Sequence, residues 1–181
     1  MTIDYALDEK DFLTFQLFAA STDASIQRRR QFTRFSFTAM YIILGGVLLA
    51  VGKLSFGIIL LALGVLWFMV YPIYERKRYR SHYTAHIKDQ YEGRLNRPSS
   101  LSFNNGFIST NNSSGADLLP YSELDAMQEI RDYIFIRLKT GVSFIVPRYK
   151  LDDATGITVF LKDLAQQYNI PYATNLNWTW K

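Results

Sequence analysis

The chain has 181 residues, no cysteine and a formal net charge of +4. Without cysteine, disulfides, thiolate metal sites and cysteine nucleophiles are excluded. The length suits one ordinary domain plus a further segment.

The positive charge is local. Residues 1–27 carry a net −4, residues 28–97 a net +9 and residues 98–181 a net −1. The excess flanks a forty-residue apolar tract at 35–74, in which Lys53 is the only charge. Bases so placed face lipid headgroups more simply than a duplex, so no nucleic-acid partner is expected. The opening MTIDYALDEKDF has no basic stretch followed by an apolar core and does not read as a cleavable signal peptide.

In residues 1–27, Ile3, Tyr5 and Leu7 alternate with polar residues, the signature of a short strand. Asp8 then caps a helix, with Asp11 three positions later in its first turn. That helix carries Phe12, Leu13, Phe15, Leu17 and Phe18. Packing against the rest of the chain is the preferred fate of these residues, and insertion at a lipid interface is the alternative.

Residues 28–97 read as a basic-flanked transmembrane hairpin with a helix extending below it. A hydrocarbon core about 30 Å thick needs ~20 helical residues. Forty residues in one helix would span about 60 Å, so the tract must turn. The turn chemistry is Gly52-Lys53-Leu54-Ser55, where Gly52 can adopt the positive φ that ends a helix. Helices are predicted at about 35–51 and 54–74, with Lys53 at the tip. Arg28, Arg29, Arg30 and Arg34 precede the first helix, and Arg76, Lys77, Arg78 and Arg80 follow the second. Basic flanks stay cytoplasmic, which predicts a multi-pass plasma-membrane protein with both termini inside and anionic lipid headgroups as partners.

Gly46 and Ala50 on one helix, and Gly57 and Gly64 on the other, are small residues that permit close helix approach. They serve packing within the hairpin or, on the second reading, homo-oligomerisation. Pro72 is placed to kink the exit from the second helix. Tyr79, Tyr83, Ile87 and Tyr91 recur every four residues, so the helix is predicted to continue to about Gly93. That stripe calls for a neighbouring helix. His82 and His86 stand one turn apart, a spacing that can bind a divalent metal. Tyr83 occupies the place where a metalloprotease needs glutamate, and a half-exposed helix face is the preferred reading.

From Pro98 the pattern changes to period two with frequent turns. Strands are predicted around Leu101 and Phe103, over 107–110, over 125–130, over 133–138 and over 142–146. Asn104-Asn105-Gly106, the polar stretch 111–115, Arg131-Asp132 and Thr140-Gly141 are the turns, and residues 120–124 read as one helical turn. A helix over 152–168 begins with Asp152 and Asp153, which suit its N-terminus, and buries Ile157, Phe160, Leu161 and Leu164. About six antiparallel strands closed by one C-terminal helix give the outline of a pleckstrin-homology-like domain. The fold class is thus α+β, a membrane hairpin carrying a cytoplasmic antiparallel β domain.

Several stretches together carry a family likeness: DEKDFLTF, RRRQFTRF before the hairpin, LSFNNGFIS, LPYSELDAMQEI, YIFIRL and FIVPRYKL, in that order. On these the chain resembles the YcxB-like family of small bacterial membrane proteins. The resemblance spans nearly the whole chain. It implies a membrane hairpin with a cytoplasmic pleckstrin-homology-like domain and supplies no catalytic residues.

No phosphate loop, dinucleotide fingerprint or nucleophile elbow is present, so a non-enzymatic role without a cofactor is expected. The leading expectation is an interaction module that binds a protein or peptide at the inner membrane face. The alternatives are an anionic-headgroup sensor and, less favoured, an oligomeric channel or transporter subunit, for which the helices lack intramembrane charges. Arg148, Tyr149 and Lys150, after the last strand, form a candidate partner-contact loop. Trp178 and Trp180 suit either the lipid interface or the surface of the β domain.

Overall fold

The structure is a computed structural model that describes residues 1–112 and 115–180. It divides into two compact units, residues 1–15 with 84–179, and residues 16–83 with Trp180. Where the sequence pattern suggests boundaries at 27/28 and 97/98, the units divide inside two helices, α1 (Glu9–Thr22) and α3 (Leu54–Tyr91).

The first unit is built from two four-stranded sheets. One contains β1 (Thr2–Ala6), β2 (Pro98–Asn104), β3 (Phe107–Asn112) and β4 (Gly115–Pro120), antiparallel in that order. The N-terminal strand is therefore part of the β domain, with Ile3 opposite Leu101. The second sheet has the order β7-β6-β5-β8, from β5 (Leu124–Ile130), β6 (Tyr133–Leu138), β7 (Ser143–Pro147) and β8 (Tyr172–Asn175).

Strand β8 departs from the expected all-antiparallel set. It follows α4 (Ala154–Gln167) and lies parallel to β5, with Met127 opposite Tyr172. A parallel neighbour needs a crossover element, and α4 supplies it. Asp153 caps α4 by accepting the Gly156 amide at 2.8 Å. The polar turn between β3 and β4 falls partly on residues 113–114, outside the described residues.

Alternation sets the core. Ile3, Leu101, Phe103 and Ile108 point from the first sheet, Met127, Ile134, Ile136 and Val146 from the second, and Leu161 and Leu164 from α4 into one buried cluster. Strand β6 is buried on both faces: its other side shows Tyr133 and Phe135, and the Phe15 ring of α1 lies 5.4 Å from Phe135. Phe12 lies 4.8 Å from Tyr91. The early aromatics Phe12 and Phe15 are thus packing residues of this unit.

The second unit contains the end of α1, the whole of α2 (Ala24–Ala50) and most of α3. Asp23 caps α2 by accepting the Ser25 and Ile26 amides. The helix starts eleven residues before the apolar tract because this cap, and no proline or glycine, lies upstream. Val51 ends it. Gly52 follows at φ +80°, and the Lys53 amide donates to Leu48 at 2.9 Å while the Gly52 amide donates to Leu49 at 3.1 Å. This paired closure satisfies the last carbonyls of α2. The Lys53 carbonyl then accepts the Gly57 amide, starting α3, which runs unbroken through Pro72.

Both α2 and α3 are long and apolar enough to cross a membrane. Where they pack, Gly45 and Gly57 face each other. A Cβ on Gly57 would stand 2.5 Å from Leu49 and 3.0 Å from the Gly45 carbonyl. Gly64 packs on Tyr41. Gly46 faces open space, so the small residue used by α2 is its neighbour, Gly45.

Candidate functional site

The β domain holds a cleft of about 320 Å³. Its floor is the inner face of the first sheet at one end, where Leu101 pairs with Thr110 and Thr110 with Asp117. Its wall is Val142 and the start of β7, Ser143 to Ile145. Strand β7 ends the second sheet, and among the described residues it pairs only with β6, so its outer edge is not bonded to another described strand. Tyr5 and Phe144 supply aromatic surface.

Arg94 and Arg97 stand at this cleft, both exposed. Neither has a carboxylate partner among the described residues. Sequence pattern alone does not single them out, since they lie in a short basic stretch between helix and strand. Their position beside an open strand edge is a product of the tertiary fold.

The loop after β7 is arranged differently from the sequence expectation, because its polar groups are engaged within the chain. Arg148 donates to Glu129 at 2.9 Å. The Tyr149 hydroxyl donates to Asp11 at 2.8 Å. Lys150 bridges Asp8 at 2.9 Å and Asp11 at 2.6 Å and also donates to the Ala6 carbonyl. These three residues clasp α1 and β5 to the end of β7 through bonds within the chain.

The clasp closes on a reciprocal cap. The Asp11 amide donates to Asp8 at 3.0 Å and the Asp8 amide to Asp11 at 2.8 Å. Burial alone would raise the Asp8 carboxyl, but the Lys150 hydrogen bond and charge, with the backbone amides, hold it below its ordinary value. Burial opposes the Lys150 charge in the same way, and its hydrogen bonds to Asp11 and Asp8 raise it nonetheless. Burial pushes the Tyr149 and Tyr133 hydroxyls well up, reinforced by the charge of Asp11, so both stay protonated as neutral groups.

A second buried carboxylate, Glu129, is 3% exposed. It accepts from Arg148, from Lys162 at 3.0 Å, from the Tyr172 hydroxyl at 3.1 Å and from Thr174 at 3.2 Å. Burial raises this carboxyl, but the Lys162 and Tyr172 bonds and the two cations outweigh it and hold it low. Asp11 and Glu129 are both saturated with donors, the arrangement of structural ion networks rather than of a poised proton-transfer group.

His82 and His86 are exposed on α3. The His82 ring lies 5.6 Å from Tyr83 and the His86 ring 6.4 Å from Tyr91. Among the described residues no cluster of three or more histidine or acidic side chains is set to hold a metal ion.

The basic flanks fall on α2 and α3. Arg30 pairs with the buried Glu75 at 3.0 Å, and Arg34 lies 3.8 Å over the Phe68 ring. Arg28, Arg29, Arg76, Lys77, Arg78 and Arg80 are exposed. Gly52 and Lys53 form the exposed turn between the helices. Trp180 packs in the helical unit, its ring 4.9 Å from the Arg30 guanidinium and 5.8 Å from Tyr79.

Fold and clefts together define an α+β protein with two long apolar helices and a two-sheet β domain. No protein-family model, curated protein or solved structure matches the chain.

Proposed function

We propose that the protein is a non-enzymatic membrane protein of the YcxB-like kind, whose pleckstrin-homology-like domain captures an extended peptide segment of a partner protein at the cytoplasmic face. In this reading α2 and α3 are a transmembrane hairpin with both termini inside. Their exposure supports it: only 6% and 11% of their most apolar windows are buried, whereas a soluble core helix is mostly buried. The basic residues at the two open ends of the hairpin supply the orientation.

The observation that carries the peptide reading is the edge of β7, open among the described residues, beside Arg94 and Arg97, which have no carboxylate partner among them. A strand edge offers main-chain donors and acceptors to an extended segment, and neighbouring pockets take its alternate side chains. The two arginines suit an acidic side chain or a terminal carboxylate on that segment. The cleft volume matches a few residues rather than a folded surface.

The test is site-specific photo-crosslinking in native membranes from Phe144 of the full chain. A crosslinked partner is expected from position 144, with none from the exposed Val159 of α4. Arg97→Glu should remove that adduct, roughly a tenfold loss for one reversed charge-assisted bond. Equal crosslinking from both positions, or an adduct indifferent to Arg97→Glu, would overturn the reading.

A further inference from the structure

The helical unit contains a second cleft, of about 420 Å³, between α2 and α3 at the end of the hairpin opposite Lys53. Its walls carry Arg29 and Arg30 from α2 and Tyr74, Glu75, Arg78 and His82 from α3. Three arginines against one glutamate leave two positive charges when His82 is neutral.

Those charges are not equivalent. Arg30 is held by Glu75 and lies over the Tyr79 ring at 5.7 Å and the Trp180 ring at 4.9 Å. It is a fixed wall whose charge is already neutralised. Arg29 and Arg78 are exposed, and no carboxylate pairs with either among the described residues. They approach the cleft from opposite helices, so one anion placed between them meets two guanidinium groups.

We infer that this cleft is a binding site for an anionic phosphate group, clamped by Arg29 and Arg78 and bordered by Tyr74 and His82. Planar guanidinium groups match phosphate oxygens in pairs. The Arg30–Glu75 pair keeps the remaining acid from repelling the ligand. Two sources share this chemistry, the headgroup of an anionic phospholipid and free phosphate. On the proposed membrane reading the cleft lies at headgroup depth.

The experiment uses the full chain in neutral detergent. Phosphatidylglycerol, phosphatidylcholine and inorganic phosphate are added separately, and retained ligand is read by native mass spectrometry. Phosphatidylglycerol should be retained over phosphatidylcholine, whose phosphate is masked by choline. The double variant Arg29→Gln/Arg78→Gln should lower that retention roughly thirtyfold, the worth of two surface bases. The matched variant Arg76→Gln/Arg80→Gln removes the same charge outside the cleft and should leave retention near wild type. Displacement of the lipid by inorganic phosphate supports the site with phosphate alone as its ligand, and resistance to displacement supports the lipid.

Equal retention of the two lipids would overturn the inference in favour of apolar lipid association, and equal loss in the two double variants would overturn it in favour of diffuse charge attraction. Thermal unfolding of each variant checks that folding is intact. The site depends on the membrane reading only for the lipid source. A chain that did not insert would still bind inorganic phosphate here, so the two readings fail separately.

Discussion

Glu129 shows how much of this fold rests on single side chains. Its carboxylate joins β5 to α4 through Lys162, to β8 through Tyr172 and Thr174, and to the loop after β7 through Arg148. Glu129→Gln strips the charge and leaves a half-buried Arg148 uncompensated, at a cost of about 3 kcal/mol. The pH dependence follows from the direction of the shift. The folded carboxyl titrates below its ordinary 4.5, so the unfolded chain binds protons first as pH falls. Stability from Glu129 is present above that value and is lost as pH drops through the lower folded pKa. Asp8 acts in the same sense below 3.8. Lys150 acts oppositely: its folded pKa exceeds 10.5, so its contribution is present below that pH and is lost as pH rises through the raised folded value. Denaturant unfolding from pH 2 to 7 should show a steep acid limb in the wild type and a shallower one in Glu129→Gln. An unchanged limb would remove Glu129 from the account. The capping acids Asp8, Asp11 and Asp153 are legible in sequence because a cap and its amides lie within three residues. The Lys150–Asp11 bond spans 139 positions, and no local pattern carries that information.

At the scale of elements, local chemistry places most boundaries. Gly52, Gly106 and Gly141 all take positive φ at turns that the sequence marks. The exceptions have identifiable causes. Strand β8 is a four-residue strand whose register with β5 depends on where α4 returns the chain. Choosing Gly45 over Gly46 as the contact depends on the rotation of α2 about its axis, which a uniformly apolar helix does not encode in its pattern. That choice can be tested. Gly57→Leu should force the helices apart and destabilise the hairpin by about 1–3 kcal/mol, the usual range for overpacking. Gly46→Leu adds a side chain into open space and should be near neutral. Thermal melting in detergent checks both, and equal effects would place the contact elsewhere.

For the whole molecule, the proposed topology puts Lys53 outside the cell and the β domain within. A Lys53→Cys variant of this cysteine-free chain offers a single reporter. A membrane-impermeant maleimide should label it in intact cells, and labelling only after lysis would invert the orientation. The candidate sites were less legible than the fold. The basic flanks are plain in the sequence, yet which arginine is neutralised by Glu75 and which stands free depends on how α2 and α3 face each other. The RYK loop reads as a contact surface until its partners, Glu129, Asp8 and Asp11, are brought to it from distant positions.

The sequence by itself determined the elements and their punctuation: an apolar tract too long for one span, a glycine turn at its middle, basic residues at both ends, then period-two strands and a capped helix. These are short-range consequences of periodicity, backbone freedom and charge. Only the tertiary structure decided which edges stay open, which ions are satisfied and where clefts form. Those outcomes are set by side chains far apart in the chain, whose encounter no local preference specifies.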